Sequence, residues 1–431
     1  MKEKIVISLA LIFWLTIASL YFFHTPPNHR SHDFIAHVEY TILLSVQKQF
    51  PHPYEAWETF QPPLYYLINS LLLPPVSIKN AFLHINLVSY VSLLYGLIAL
   101  FIIYWLLRQT INNLFVRLLV LLFIGTTPNF VFLFSTYNND SLATLLLIAT
   151  FAIAYKLITN WSYKNAILLL LILTAGLYTK NTALAAITAL CIYFSRNFIR
   201  FKLPDKTSLK ILIILFLALS LFFPWTYFHN YKNTDRFFPT NVDNEINTKF
   251  NFELFDNVVG IIFRIPDLQI NKPTYQYEWD VPWVYPDWGI YHPSSKRYDY
   301  FGFSFITSII GEYVFKSPYV IVIWIILYIH LIVTLFSLFN IPNTPLGNFS
   351  KFILITVYLL QISTLPLSPY LPQRNMDYRY IAWLWAPWAV INAYALDGKY
   401  KLISLLLQSL VICAIAIQVY TLLTVKGGFW I

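Results

Sequence analysis

Apolar runs long enough to cross a bilayer recur along the whole chain, separated mostly by short polar connections. The pattern predicts eleven spanning helices, at about 5–23, 83–107, 115–134, 141–157, 163–178, 181–197, 209–227, 317–339, 351–368, 379–396 and 401–422. Only Tyr178-Thr179-Lys180-Asn181 separates the fifth from the sixth. The first run follows Lys2 and Lys4. It is long for the core of a signal peptide, and His24-Thr25-Pro26-Pro27 comes next instead of a small-residue cleavage site, so it reads as a spanning helix. The expected fold is an all-α polytopic membrane bundle.

Composition agrees. Hydrophobic residues make up 58% of the 431 positions and charged residues only 11%, where a soluble domain is about one quarter charged. The two cysteines, Cys191 and Cys413, both lie in apolar runs and offer neither a disulfide framework nor a thiolate metal site. The net charge of +9 is explained by topology, so it calls for no nucleic-acid partner. With the N-terminus cytoplasmic, the short connections on that side carry Lys2, Lys4, Arg108, Arg117, Lys156, Lys164, Lys351, Lys399, Lys401 and the cluster Arg196 to Lys210. Only Glu3, Asp205 and Asp397 oppose them. That bias follows the positive-inside rule.

Two long connections then fall on the outer face, one from about His24 to Ala81 and one from about Phe228 to Lys316. They divide the chain into an N-terminal membrane module (1–227), an aromatic-rich outer loop (228–316) and C-terminal membrane helices (317–431). Long loops in an otherwise economical bundle often carry function. In the first, "HDFIAHVEYTILLSVQKQF" (His32–Phe50) places Phe34, Val38, Thr41, Ile42 and Val46 on one helical stripe, as in a helix lying on the membrane surface. Farther on stands "ETFQPPLYYLI" (Glu58–Ile68). A residue before proline is pushed out of helical geometry, whereas proline suits the first turn of a helix. The stretch therefore predicts an extended approach and a short interfacial or re-entrant helix from about Pro63, stopped by Pro74-Pro75. Tyr65 and Tyr66 are expected at headgroup level.

Chemistry-bearing residues collect at the outer ends of the spans. Asp33 opens the first surface helix, either as a capping acid or as a carboxylate held at the water–lipid boundary. Asp140, after Asn138-Asn139, begins the fourth span on the same face and has the same two readings. Together the two acids leave open a divalent cation, Mg2+ or Mn2+, though nothing demands a cofactor. Lys180 is a snorkelling lysine or a phosphate-binding cation. Arg374 and Arg379, in "SPYLPQRNMDYRYIAW", either pair with Asp377 or meet phosphate oxygens, which guanidinium geometry suits. His37, Glu55, Glu58 and His292 carry weaker signals. The chain has no H-E-x-x-H, nucleotide-binding glycine loop or G-x-S-x-G.

The order first span, Asp33, surface helix, then Gln61-Pro62-Pro63-Leu64-Tyr65-Tyr66-Leu67-Ile68 resembles a known family. It is similar to the integral-membrane glycosyltransferases of the GT-C fold that use polyprenyl-phosphate sugars. Within these it looks like the protein mannosyltransferase (glycosyltransferase family 39-like) and aminoarabinose transferase group. The specific part of the resemblance lies within residues 1–145. It implies a GT-C-like bundle of about eleven spanning helices with interfacial helices in the first outer loop. It also implies a hexosyl or pentosyl transferase of a bacterial or archaeal cell membrane, acting on its outer face. The donor is a polyprenyl-phosphate sugar, and the acceptor hydroxyl belongs to a lipid, glycan or protein. In this picture Asp33 is the acceptor-activating acid, Asp140 the second acid, and Lys180, Arg374, Arg379, Tyr65, Tyr66 and His37 meet donor phosphate or substrate. Relatives often pair two acids where this chain has His32-Asp33-Phe34. An O-antigen polymerase or ligase is the rival reading, and it would gather its Arg/His groups in the late loop. A lipid or solute transporter is another, and it would place charge near mid-membrane.

Overall fold

The computed structural model describes residues 2–26, 34–72, 81–199, 205–239, 308–309, 319–339, 343–364, 378–398 and 400–424. Every described element is helical, and the chain is a multi-pass membrane bundle. In order the helices are α1 (Lys2–His24), α2 (Phe34–Gln47), α3 (Leu64–Leu72), α4 (Ala81–Thr110), α5 (Leu114–Gly125), α6 (Pro128–Leu133), α7 (Asn139–Thr159), α8 (Tyr163–Thr179), α9 (Ala183–Ile199), α10 (Lys206–Pro224), α11 (Tyr319–Phe339), α12 (Pro345–Thr364), α13 (Trp385–Leu396) and α14 (Lys401–Thr424). Among the described residues six helices are long and apolar enough to cross a membrane, and five shorter apolar helices occupy the other predicted spans. α2 and α3 are the two extra helices of the first long loop. The face that carries this loop is called the loop face below. Of the second long loop, 228–239 and 308–309 are described.

Side-chain caps set several helix starts. Asn113 accepts from Val116 N, Ser162 from Asn165 N, and Asp205 from the amides of Thr207 and Ser208. The expected single span at 115–134 is instead two helices, α5 and α6, broken at Thr126-Thr127-Pro128. Proline lacks the amide that would continue the ladder, and it forces Thr127 to an extended ψ of 128°. Beside the break the Trp14 indole donates to the Gly125 carbonyl at 2.7 Å. Beside it Thr126 bonds Gln418 of α14 (2.7 Å). Gln418 meets His330 of α11 (2.7 Å), and His330 stacks on Phe123 (4.0 Å between centroids).

On the opposite face, Glu3 gathers the start of α1 to α4 and α5. Its Oε1 accepts from Tyr104 (2.6 Å) and Arg117 (2.9 Å), with Arg108 at 3.7 Å. α1 also approaches α4 through Gly96. A Cβ there would stand 2.6 Å from Trp14 Cη2 and 2.8 Å from Phe134 Cβ and Cγ. Gly96→Ala is therefore expected to cost about 1–3 kcal/mol through overpacking. At Gly176 an added Cβ meets nothing nearer than 3.7 Å, so Gly176→Ala should be neutral or slightly stabilising. Thermal unfolding in lipid nanodiscs checks both. Equal melting temperatures for Gly96→Ala and the unaltered chain would refute the tight approach.

Candidate active site

The short proline stretch builds one wall of the site. Gln61 N donates to Glu58 O (3.0 Å), and Leu67 N to Pro63 O (2.8 Å), so the chain turns and then enters α3 at Pro63–Leu64 as its prolines require. Tyr40 of α2 donates to the Gln61 carbonyl (3.2 Å) and stacks on Tyr66 at 4.0 Å. The Tyr66 hydroxyl bonds His37 Nδ1 at 2.8 Å. Tyr65 packs edge-on to Tyr137, whose hydroxyl donates to Thr41 Oγ1 (2.7 Å). These contacts pin the α2–α3 hairpin to the start of α7.

Two expectations about this loop need correcting. The buried stripe of α2 runs through His37, Val38, Tyr40, Thr41 and Leu44, while Val46 is 64% exposed. The helix buries polar groups because each has a partner across the hairpin or on its own backbone. Tyr65 and Tyr66 are likewise interior, at 1% and 0% exposure, and so are covered by protein instead of facing headgroups. Burial pushes both phenols well above the usual tyrosine range, with the nearby Glu58 carboxylate adding to the shift at Tyr66. Both are therefore neutral hydroxyls at any working pH, suited to hydrogen bonding and not to accepting protons as bases.

α7 and α8 are packed neighbours, so the start of the first and the end of the second share the loop face. Asn138 caps α7 through the amide of Asp140 (2.7 Å), and Asn139 Nδ2 reaches Thr179 O (3.3 Å). Lys180 terminates α8, its amide closing on Gly176 O at 2.9 Å. Its ammonium points inward and donates to Asp140 Oδ1. Asp140 is 2% exposed and Lys180 6%. The snorkelling reading of Lys180 is overturned: an opposite charge inside the bundle outweighs the pull of water. Asp140 Oδ2 has no hydrogen-bond donor among the described residues.

The structure thus brings Asp140 to Lys180, and His37 to Tyr66, in adjoining parts of one polar region. Arg379 lies in a short 3-10 segment, Tyr378–Leu384, that packs against α7, the helix carrying Asp140. Asp33, His292 and Arg374 lie outside the described residues. Glu58, a weak signal in sequence, is buried at 6% exposure. The turn in front of Pro62-Pro63 was its only signal, because nothing in its spacing tells burial from exposure. Among the described residues no three of His, Cys, Asp or Glu cluster as metal ligands. Asp140 offers a cation one oxygen, since Lys180 holds the other and repels a second positive charge. The divalent ion left open in sequence therefore has no cage among these residues.

No family model and no curated protein sequence matches the chain. Solved structures do. ArnT from Cupriavidus metallidurans in the apo state superposes with a TM-score of 0.51 at 11% identity, over 91% of this chain and 60% of that one. The archaeal oligosaccharyltransferase AglB from Archaeoglobus fulgidus, in complex with an inhibitory peptide and a dolichol-phosphate, gives 0.51 at 12% identity over 97% and 56%. The apo form of the Archaeoglobus fulgidus oligosaccharyltransferase gives 0.52, also at 12% identity, over 97% of this chain and 56% of that one. This chain spans little more than half the length of these proteins. What they share with it is the fold: a GT-C-like, multi-span helical bundle.

Breaking a buried ion pair leaves one charge uncompensated, at a cost of about 3–5 kcal/mol, whereas replacing both members with apolar residues is often neutral. Asp140→Leu and Lys180→Met should each lower the unfolding temperature in nanodiscs, and the double variant should recover most of the loss. Additive losses in the double variant would mean that the two charges do not act on each other.

Proposed function

We propose that this chain transfers a sugar from a polyprenyl-phosphate donor to an acceptor hydroxyl, at the membrane boundary of its loop face. The observation that carries this reading is the buried Asp140–Lys180 pair beneath the α2–α3 hairpin. It provides a cation and an adjacent carboxylate oxygen with no donor among the described residues, at the ends of two apolar helices. A donor whose tail stays in lipid presents its phosphate at such a level. The fold shared with AglB, whose structure holds a dolichol-phosphate, supports the same substrate class.

In the proposed reaction the bond between the anomeric carbon and the phosphate oxygen breaks, and the phosphate departs with the electron pair. Lys180 neutralises the charge growing on it, joined by Arg374 or Arg379. Asp33 takes the proton of the acceptor hydroxyl as that oxygen bonds the anomeric carbon. Direct displacement inverts the anomeric centre. Asp140 holds the Lys180 ammonium in place, and its other oxygen faces the substrate. Tyr66, fixed by His37 and Tyr40, keeps the proline turn seated over the pair. The loop face is then the outer face of a bacterial or archaeal cell membrane, with the N-terminus cytoplasmic.

Membranes carrying matched amounts of each variant, supplied with radiolabelled polyprenyl-phosphate sugars and a panel of lipid, glycan and protein acceptors, test this directly. The unaltered chain should transfer label and Asp33→Asn should not. Lys180→Gln should raise the donor KM at least tenfold, with partial rescue by Lys180→Arg. Absence of transfer by the unaltered chain across the whole panel would remove the reading.

A further inference from the structure

A second feature of the loop face lies apart from the ion pair. α10 does not end at Pro224. It continues through a wide π-helical turn, Trp225–Tyr231, and one more turn, Lys232–Thr234. The continuous helix Lys206–Thr234 is 29 residues long, where a bilayer needs about 20. The extra length is aromatic. Phe223, Tyr227 and Tyr231 form a ladder of nearly parallel rings at 5.7 and 5.8 Å, and Phe237 stacks on Tyr231 at 4.6 Å. Phe228 is 60% exposed, and Tyr231, Phe237 and Phe238 are exposed as well. The Lys232 ammonium rides on the Phe228 ring at 4.9 Å.

The opposite boundary is marked on the same helix, where the Lys210 ammonium stands 4.8 Å from the Trp161 ring centroid. Lysine and tryptophan together are typical of a membrane–water interface. From Lys210 to Phe228 the helix rises roughly 27 Å at 1.5 Å per residue. That is close to the roughly 30 Å of a hydrocarbon core. Phe228 then stands at the loop-face boundary, and Tyr231, Lys232 and Phe237 stand above it. The first long loop is fastened to this end of the helix. His229 Nε2 bonds Pro51 O (3.0 Å), His52 Nε2 bonds Asn233 O (3.3 Å), and Phe50 packs edge-on to Trp225 (5.1 Å). Tyr178, two residues before Lys180, donates to Leu221 O at 3.0 Å. The Asp140–Lys180 pair accordingly lies within about 10 Å beneath Phe228.

We propose that the aromatic end of α10, with Phe50 of the first loop, is a membrane-interface foot. Its occupant is the phospholipid headgroup layer of the loop-face leaflet, and its contact with that layer sets the depth of the loop and of the ion pair. Helix length, the Lys210–Trp161 marker and the rings with a lysine at their rim each favour lipid over a protein or glycan partner. The inference stands whether or not the chain transfers sugar.

Site-directed nitroxide labelling in phospholipid vesicles tests it. Cys191 and Cys413, both free thiols, are first replaced by serine. Single cysteines then go in at Phe228, Tyr231 and Phe237, and at Phe216, which is 69% exposed on the apolar part of α10. Relative access to oxygen and to a water-soluble nickel chelate gives the depth of each label. The label at 228 is expected within about 5 Å of the phosphate level, those at 231 and 237 at or just above it, and the label at 216 about 18 Å deeper than 228. Labels at 228 and 231 as open to nickel as a soluble site would overturn the proposal. So would labels shielded from both reagents, which would mean that protein covers the patch. Donor turnover is measured on the same preparations, so absence of transfer even by the unaltered chain, with the labels at their expected depths, counts against the sugar-transfer reading and not against the foot.

Discussion

A charge inside a membrane bundle persists only when an opposite charge or a set of dipoles meets it there. Asp140 and Lys180 meet this condition, and much of the loop face is arranged around them. α7 must begin where α8 ends, and the capping side chains of Asn138 and Asn139 secure that level from the α7 side. The α2–α3 hairpin must then cover a polar region, so it carries hydroxyls and an imidazole where a buried hairpin usually carries aliphatic groups. His37, Tyr40, Thr41 and Tyr66 each find a hydrogen bond, which allows them to be buried.

The same rule shapes the middle of the bundle. Pro128 opens the backbone between α5 and α6, and the lipid interior offers no hydrogen-bond donor. Trp14 of α1 donates to the Gly125 carbonyl beside the break. The adjoining chain of Thr126, Gln418 and His330 binds α5 to α14 and α11, which come from the far end of the sequence. Partners distant along the chain thus hold together the half with the ion pair and the half with the 3-10 segment of Arg379.

The spans were legible because the bilayer imposes one length and one composition on every crossing segment. Ten of the eleven lie within about six residues of an observed helix, whereas 115–134 is two helices, α5 and α6. The short helix after Gln61-Pro62-Pro63 was legible too, since proline acts on its neighbours through local sterics alone. Misreadings arose where a residue's surroundings are distant in sequence. Val46 and Leu44 are both apolar, and only the position of α3 decides which of them is covered. Tyr65 and Tyr66 suit a headgroup layer as well as a polar interior, and Tyr40 and Tyr137 decide between the two.

By itself the sequence determined where the apolar helices lie, the two long connections between them and the local turn at the prolines, because periodicity, hydropathy and backbone sterics act over a few residues. It also placed Asp140 and Lys180 at helix ends on one face. The tertiary structure alone decided that they meet. An ion pair depends on a few ångströms between side chains 40 residues apart. That separation is set by how α7 packs on α8, which no local pattern encodes.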